Sequence, residues 1–302
     1  LHLSLRRQRQ MCIRDRPAIL AIINTNSPMQ LDVPMSEAVL ELAAANQVCC
    51  ITPFTLAGSM SPATLAGTLA QQTAEVLAVV TLTQIVRTGA PVMYGAFASN
   101  VDMQSGAPAL GTPEYAKMAL ASAQISRRLR LPFRSSNTTT SNTVDVQAAY
   151  EGGMSLWSAI LGHTNLVNHA AGWLEGGLTA SFEKLIMDAE MLQMMAATLQ
   201  QLVVNTEELA LEAIAEVPPG GHHFGTAHTL ERYETAFYSP MLSNRQNFEA
   251  WQEDGCKDAT ERANLIWKQL LSEYEQPFIE PSVEEALRSY IDKRKTTIDK
   301  MM

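Results

Sequence analysis

Three groups of residues in this chain have the types and spacing to do chemistry. Asp145, Gln147 and Glu151 form the first. Gln147 and Glu151 are four apart and share a helix face, where a carboxylate can act as a base or hold a cation. Asp145 falls in the first turn of the same helix, so capping that turn explains it as well as catalysis does. His222, His223 and His228 follow Pro218-Pro219-Gly220-Gly221 and are the densest histidine cluster. No adjacent Cys and no HExxH pattern completes a zinc set around them. Imidazoles bonding backbone in a tight turn are the competing reading. Asn24, Asn26 and Ser27 come directly after an apolar run, where loop chemistry collects, although turn formation before Pro28 accounts for them too. His169 ends another apolar run and is read as a satisfied core histidine. Asp188 and Glu190 interrupt an apolar helix and cannot face the same side; solvated placement is the preferred reading, with a buried partner for one of them the alternative.

The elements that must position these residues alternate in type. Short apolar runs occur at Ala18–Ile23, Val48–Ile51, Pro91–Ala96, around Leu131–Arg134 and at Leu166–His169. Each is too short for a helix and suits a buried parallel strand. Between them lie helical stretches at Ser36–Asn46, Pro62–Thr88, Thr112–Arg130 and Val144–His163. Thr112-Pro113-Glu114 combines cap, proline and acid, and Ser36 and Ser61-Pro62 offer further starts. Alternation of this kind implies βα units and a parallel sheet. No GxGxxG or GxxxxGK[ST] follows any strand, and a varied polar loop follows each instead, which favours a barrel over a nucleotide-binding sheet. The fold expected is α/β, a TIM-type (β/α)8 barrel lacking its first strands. From residue 176 to 302 the texture becomes mainly helical, a C-terminal extension. Helices are expected at Ser181–Gln201, Thr206–Glu216, Asn244–Glu253, Ala259–Glu273 and Val283–Lys295.

Composition narrows the classes. The 302 residues are 46% hydrophobic and 18% charged, enough for a large core and against general disorder. A net charge of −9 speaks against nucleic acid as a partner. No stretch approaches the roughly 20 apolar residues that span a bilayer, and no membrane partner is expected. Four cysteines without a CxxC pair suit a reducing compartment, the cytoplasm. Residues 1–16, LHLSLRRQRQMCIRDR, carry five Arg and one Asp. RRQRQMCIRDR within them looks like the in-frame translation of a transposase-type sequencing adapter, a reading preferred to an amphipathic presequence, and the leader is set aside from fold reasoning. The expectation is a gene entered midway, with residues 17–302 a partial barrel domain.

Several stretches together resemble the trimethylamine methyltransferase family: INTNSPMQLD (23–32), TPFTLAGSMSPATLAGTLAQQTAEVLA (52–78), PVMYGAFASNVDMQSGAPALGTPE (91–114), VDVQAAYEGGMSLW (144–157) and PPGGHHFGTAHTLERYE (218–234). The resemblance implies a TIM-type barrel with helical extensions. It also implies methyl transfer from a methylamine or quaternary amine to a corrinoid (cobalamin) carried by a partner protein. Trimethylamine-specific members carry the electrophilic residue pyrrolysine in the loop before the DaQxxyE-like segment. Here that segment is VDVQAAYE, and the loop from Ser135 to Asn142 holds only ordinary side chains. A tertiary amine needs activation before it yields methyl, whereas a quaternary ammonium already has a neutral leaving group. The resemblance therefore points to a glycine-betaine-like substrate.

An onium ion is held by aromatic faces or carboxylates. Tyr94, Phe97, Tyr150 and Trp157 lie where they could reach a barrel mouth, Tyr94 foremost, with core packing the competing role. On this basis His228, Glu151 and Asp145 are the expected catalytic residues. Tyr94, Asn26, Ser27, Gln147, Tyr150 and His222 are the expected substrate contacts, His222 and His228 through their match to the family's GGH…HT element. No metal is expected, and a homo-oligomer is possible. Two alternatives stand beside this reading: an inactive fragment or non-catalytic barrel scaffold, and another barrel lyase or aldolase. The second lacks a strand-borne Schiff-base lysine.

Overall fold

A computed structural model describes residues 16–299. The leader read as an adapter translation, apart from its last residue, lies outside the described residues. Residues up to Asn264 form one compact unit, and those from Leu265 form a second.

The five apolar runs become five strands: β1 (Leu20–Ile23), β2 (Val48–Ile51), β4 (Val92–Gly95), β7 (Phe133–Ser136) and β8 (Leu166–Asn168). All neighbours pair in parallel, and their order across the sheet follows their order in the chain. A doubly wound sheet reverses direction at a switch point. This sheet never does, so right-handed crossovers carry each connecting helix over the same face. The result is a curled parallel half-barrel. Four helices make its outer layer: α1 (Val33–Ala44), α2 (Leu65–Val86), α3 (Pro113–Leu129) and α4 (Val146–Leu161). Three very short strands, β3 (Leu56–Ala57), β5 (Ser99–Val101) and β6 (Pro108–Ala109), form a separate small sheet over the strand ends. A hairpin of β9 (Trp173–Leu174) and β10 (Thr179–Ala180) follows β8.

Register decides which side chains meet the helices. Residues paired across parallel strands project to one face. Ile23, Ile51, Tyr94 and Phe133 are paired in a row, and all four belong to the buried core with Val39 of α1, Val76 and Val79 of α2, and Ala123 of α3. The alternate row therefore faces away from the helices: Ile22, Cys50 and Met93, then Gly95, Arg134 and Leu166. Gly95 is required there. A Cβ on it would stand 2.0 Å from Thr52 Oγ1 and 2.6 Å from the Ile51 carbonyl oxygen.

Caps fix the helix starts. Thr112 accepts from the Tyr115 N–H and opens α3 as expected. Asp32 and Thr64 cap α1 and α2, so the starts expected at Ser36 and Ser61-Pro62 are displaced by three or four residues. By length and composition α2 is sufficient to cross a membrane, which corrects the expectation that no stretch approaches that size. Its packed face carries Thr68, Gln72 and Glu75 and meets α1, α3 and the sheet, the position of a layer helix.

Beyond the sheet, α5 (Phe182–Thr198) packs on α4. The helix expected over Thr206–Glu216 is divided into α6 (Thr206–Leu209) and α7 (Leu211–Glu216) at Ala210, whose φ is +45°. Next come α8 (Ala227–Arg232), α9 (Phe248–Glu253) and α10 (Ala259–Ser272). The second unit holds the end of α10 and α11 (Pro281–Asp299).

Candidate functional site

The loops that leave the C-terminal ends of the strands gather a polar cluster on the face opposite the helices. Its centre is Arg134 of β7, 1% exposed. Nη2 lies 3.0 Å from His169 Nδ1, and the guanidinium carbon stands 5.7 Å from the centroid of the Phe97 ring. Nη1 reaches the Ala96 carbonyl oxygen only at 3.5 Å, and Nε has no partner. Among the described residues no carboxylate pairs with it. Burial pushes its pKa down, and the groups whose negative forms would offset that are Cys50 and Tyr115. Cys50 is itself held neutral, its thiol pushed up by burial against smaller opposing effects of Thr52 and Arg134.

His169 completes the cluster through its backbone. It follows β8 with φ +54°, a left-handed conformation that is uncommon in a non-glycine residue though enriched for His. This turns a ring that alternation would send to the helix side back onto Arg134. A guanidinium has only donors, so Nδ1 must accept and the proton sits on Nε2. Burial and then the Arg134 charge lower the imidazole pKa, which keeps it neutral. The Trp173 ring meets His169 edge-on at 5.2 Å, and Phe54 lies 5.2 Å from Phe97. A buried cation with a free donor, flanked by aromatic rings, is an arrangement for binding an anion that carries an apolar or onium end.

The loop after β7 is polar and buried from Ser135 to Thr139. Glu151 clamps it: Oε2 accepts the N–H groups of Thr140 at 2.8 Å and Ser141 at 3.0 Å, and Oε1 accepts Gln147 Nε2 at 2.8 Å. Gly111, at φ +71°, lets its loop run against Glu151, since a Cβ there would come within 2.4 Å of the Glu151 Cβ. Thr139 Oγ1 donates to the Trp173 carbonyl oxygen, and Asn137 Nδ2 to that of Ala170. The loops after β7 and β8 are thereby sewn together around Arg134 and His169.

Glu75 organises the loop after β1. Its carboxylate accepts from Thr25 Oγ1, Ser27 Oγ, the Met29 N–H and Gln71 Nε2. Burial raises its pKa, but these bonds, led by Thr25, outweigh it and hold the group below the usual carboxylate range. It borders a pocket of about 320 Å³ with Thr25, Met29, Leu31 and Val79. With every oxygen engaged, Glu75 calls for no cation of its own.

The sequence-expected residues divide accordingly. Ser27 sits in the loop after β1, and Glu151 with Gln147 reaches the loop after β7 from α4. Asp145 is the N-cap of α4, accepting from the Ala148 N–H, the capping role that the sequence offered beside the catalytic one. Asn26 holds its own turn: its backbone bonds Gln30 and its side chain bonds Asp32. Tyr94 is a correction. It is fully buried on the helix side, its hydroxyl against Gln72 and Thr73, on the opposite face from Arg134. Tyr150 is another, 58% exposed on the outside of α4. His222 and His228 stand apart from the cluster. His222 is exposed and stacks near Phe224, and His228 lines a groove between α6, α7 and α8 with Glu207, Glu212 and Arg232. Asp188 and Glu190 are buried rather than solvated. Asp188 pairs with Lys184, while Glu190 receives the Met241 and Leu242 N–H groups. Among the described residues no group of three metal-ligating side chains converges. Reasoning from sequence missed Arg134 and undervalued His169. The available signal for both was position, at the C-terminal ends of adjacent expected strands. Glu75 was also legible, as the single charged residue in α2.

Glu75 and Glu151, reaching from α2 and α4, hold the strand-end loops in this geometry, and that is testable for Glu151. Glu151→Gln keeps an oxygen for the two N–H groups and is expected to hold melting temperature and ligand binding near the parent's. Glu151→Ala strands buried donors and is expected to lose about 1–3 kcal/mol. Thermal melts of both variants check this, and a Gln variant as damaged as the Ala variant would refute the clamp.

Strand order, the one-sided helix layer and a polar cluster at the strand ends define a half-barrel of the type that carries enzyme sites on its loop face. Residues 6–299 match the family described as trimethylamine methyltransferase (MTTB), and the chain belongs to that family. It is 37% identical over 283 residues to a glycine betaine methyltransferase of Desulfitobacterium hafniense (strain Y51), which covers 93% of this chain and 59% of that protein. It is 29% identical to a trimethylamine methyltransferase of Methanosarcina mazei, covering 93% of this chain and 56% of the relative. A trimethylamine methyltransferase of Desulfitobacterium hafniense (strain DCB-2) is likewise 29% identical, with 93% and 56% covered. The chain thus spans a little over half the length of these relatives.

Proposed function

We propose that this chain is the larger part of a cytoplasmic methyltransferase, its half-barrel belonging to a TIM-type (β/α)8 barrel. The reaction takes a methyl group from a glycine-betaine-like quaternary amine to a corrinoid borne by a partner protein. The observation that carries the substrate class is Arg134. A buried guanidinium without a carboxylate is expensive to hold, and a zwitterion supplies the missing charge from outside. Trimethylamine has no anionic end to offer. The 37% identical relative, named a glycine betaine methyltransferase, supports the same choice.

In this reading Arg134 takes the substrate carboxylate, using the free Nε and a neighbouring Nη. Neutral His169 fixes the guanidinium plane and adds no charge of its own beside the ligand. Phe97, Phe54 and Trp173 lie alongside for the onium end and keep water from it. The reduced corrinoid of the partner supplies the nucleophile. Among the described inner-face residues no histidine or thiolate stands free to ligate cobalt, because His169 is turned to Arg134 and Cys50 is a buried thiol. That fits a cofactor presented from outside. The departing amine is neutral, so no acid is needed on this chain.

Calorimetric titration of the chain with glycine betaine, trimethylamine and tetramethylammonium tests the site without the corrinoid. Nuclear magnetic resonance of dimethylglycine formed with a Co(I) corrinoid tests the reaction. Betaine binding well ahead of both simple amines is expected. Equal binding of tetramethylammonium would remove the role given to Arg134.

A further inference from the structure

The parallel register of β4 with β7 ends at Gly95 and Arg134. Two residues further along each chain come Phe97 and Ser136, outside that ladder. One side chain bridges them. Tyr115, the third residue of α3, is 2% exposed. Its ring meets Phe97 edge-on, with centroids 6.5 Å apart and planes at 76°. Its hydroxyl donates to the Ser136 carbonyl oxygen at 2.7 Å. Burial pushes the phenol's pKa up, which keeps the hydroxyl a donor. The root of the side chain is fixed too, because Thr112 Oγ1 accepts the Tyr115 N–H and donates to Asn100 Oδ1 of β5. Phe54 is a second ring against Phe97, at 5.2 Å.

The place of Phe97 decides what length of ligand the cluster fits. Its ring, which would hold the onium end, stands 5.7 Å from the guanidinium carbon that would hold the carboxylate. Cation–π attraction needs the cation within roughly 6 Å of the ring centroid. The two charges of a ligand that satisfies both must therefore lie close together. In glycine betaine one carbon separates them, and standard bond lengths put the onium nitrogen about 2.5 Å from the carboxyl carbon. Every added methylene carries the onium away from the ring or forces the ligand to fold.

Building on the role given to Arg134, we propose that Tyr115 is a positioning residue for substrate length. It holds Phe97 at a set distance from the strand that carries Arg134, so the site prefers a zwitterion whose charges are one carbon apart. Tyr115 acts only through Phe97 and the Ser136 backbone. Without its hydroxyl the ring is free to tilt away from Ser136, and the spacing between Phe97 and β7 is no longer set.

Calorimetric titration with glycine betaine and with the betaine of β-alanine, one methylene longer, reads the preference. The parent is expected to favour glycine betaine about tenfold, the order of one lost cation–π contact. Tyr115→Phe keeps the ring and drops the bond to Ser136, and its preference is expected to fall to about threefold or less. A Tyr115 that served stability alone would lower the melting temperature and weaken both ligands alike. An unchanged ratio in Tyr115→Phe would therefore overturn the proposal. Phe97→Leu, at a half-buried position, is expected to lose the preference as well, and adding Tyr115→Phe to it should move the ratio no further. If Tyr115→Phe does not fold, Phe97→Leu decides by itself, and a ratio equal to the parent's overturns the proposal. A parent that binds both betaines equally overturns it while leaving Arg134 its role. A parent that binds neither removes that role also.

Discussion

Arg134→Met is expected to melt at a higher temperature than the parent and to bind glycine betaine at least about a hundredfold more weakly. The two effects share one cause. In the free protein the guanidinium is desolvated, bonded firmly only to His169, and left with an open Nε. Replacing buried ionic groups with apolar side chains of similar volume is often stabilising, by about 1–4 kcal/mol, and a gain of that kind raises the midpoint by roughly 2–4 °C per kcal/mol in a chain of this size. With ligand the balance reverses, since removing one partner of a buried hydrogen-bonded charge pair loses about 2–5 kcal/mol. Arg134→Lys is not expected to rescue binding, because a single ammonium cannot present the guanidinium fork. A pH signature accompanies the loss. His169 has its pKa lowered from 6.5 by burial and then by Arg134. Its contribution is therefore complete above the unfolded value and is lost as pH falls through the folded one. Without Arg134 the folded value moves back up, and this stretch of pH dependence narrows. Calorimetric melts, titrations with betaine and the His169 ring resonances would check all three. A variant that melts below the parent, or binds betaine equally well, would show that Arg134 is structural.

The strands and the outer helices were legible because burial on a parallel sheet leaves its own mark. Runs such as VCCI have no polar alternation, and Thr112-Pro113-Glu114 is a helix start on chemistry alone. What sequence could not supply was the face. Tyr94 and Arg134 both sit on short strands with polar loops after them, and only register sends one to the helices and the other to the strand ends. A shift of one residue would exchange them. The His169 ring is harder still, since a positive φ redirects it against the alternation. Carboxylates were hard to read for a related reason. Asp145 and Glu151 have the types of catalytic residues, but the chain nearby offers unpaired backbone N–H groups at a helix start and a tight loop, and these claim them first. The exposed histidines near His228 had composition in their favour and no element to carry them to the strands.

Lys184→Met is expected to be the most destabilising single change near the site, because it leaves Asp188 buried without its cation. Both side chains are 1% exposed, and the pair spans one turn of α5 beneath Gly152, where a Cβ would stand 3.3 Å from each. Breaking such a pair from one side loses about 3–5 kcal/mol, on the order of 6–20 °C at roughly 2–4 °C per kcal/mol. Burial already raises the Asp188 pKa despite the opposing pull of Lys184, and the lysine's removal raises it further. A carboxyl with a raised folded pKa contributes stability below its unfolded value and loses it as pH rises through the folded one. The deficit of Lys184→Met relative to the parent should therefore shrink as pH is lowered toward the Asp188 pKa. Adding Asp188→Asn removes the stranded charge and retains an acceptor for the Gly172 N–H, which Asp188 Oδ2 now holds at 2.9 Å. The double variant should recover most of the loss, a non-additivity that a mutant cycle reads directly. The same bond ties the pair to function, since Gly172 belongs to the turn that begins at His169 and is also held by Asn137 through the Ala170 carbonyl oxygen. Lys184→Met should accordingly weaken betaine binding even at temperatures where the chain stays folded, with the double variant restoring both. Unchanged betaine binding by folded Lys184→Met would separate the pair from the site and place the support of His169 elsewhere.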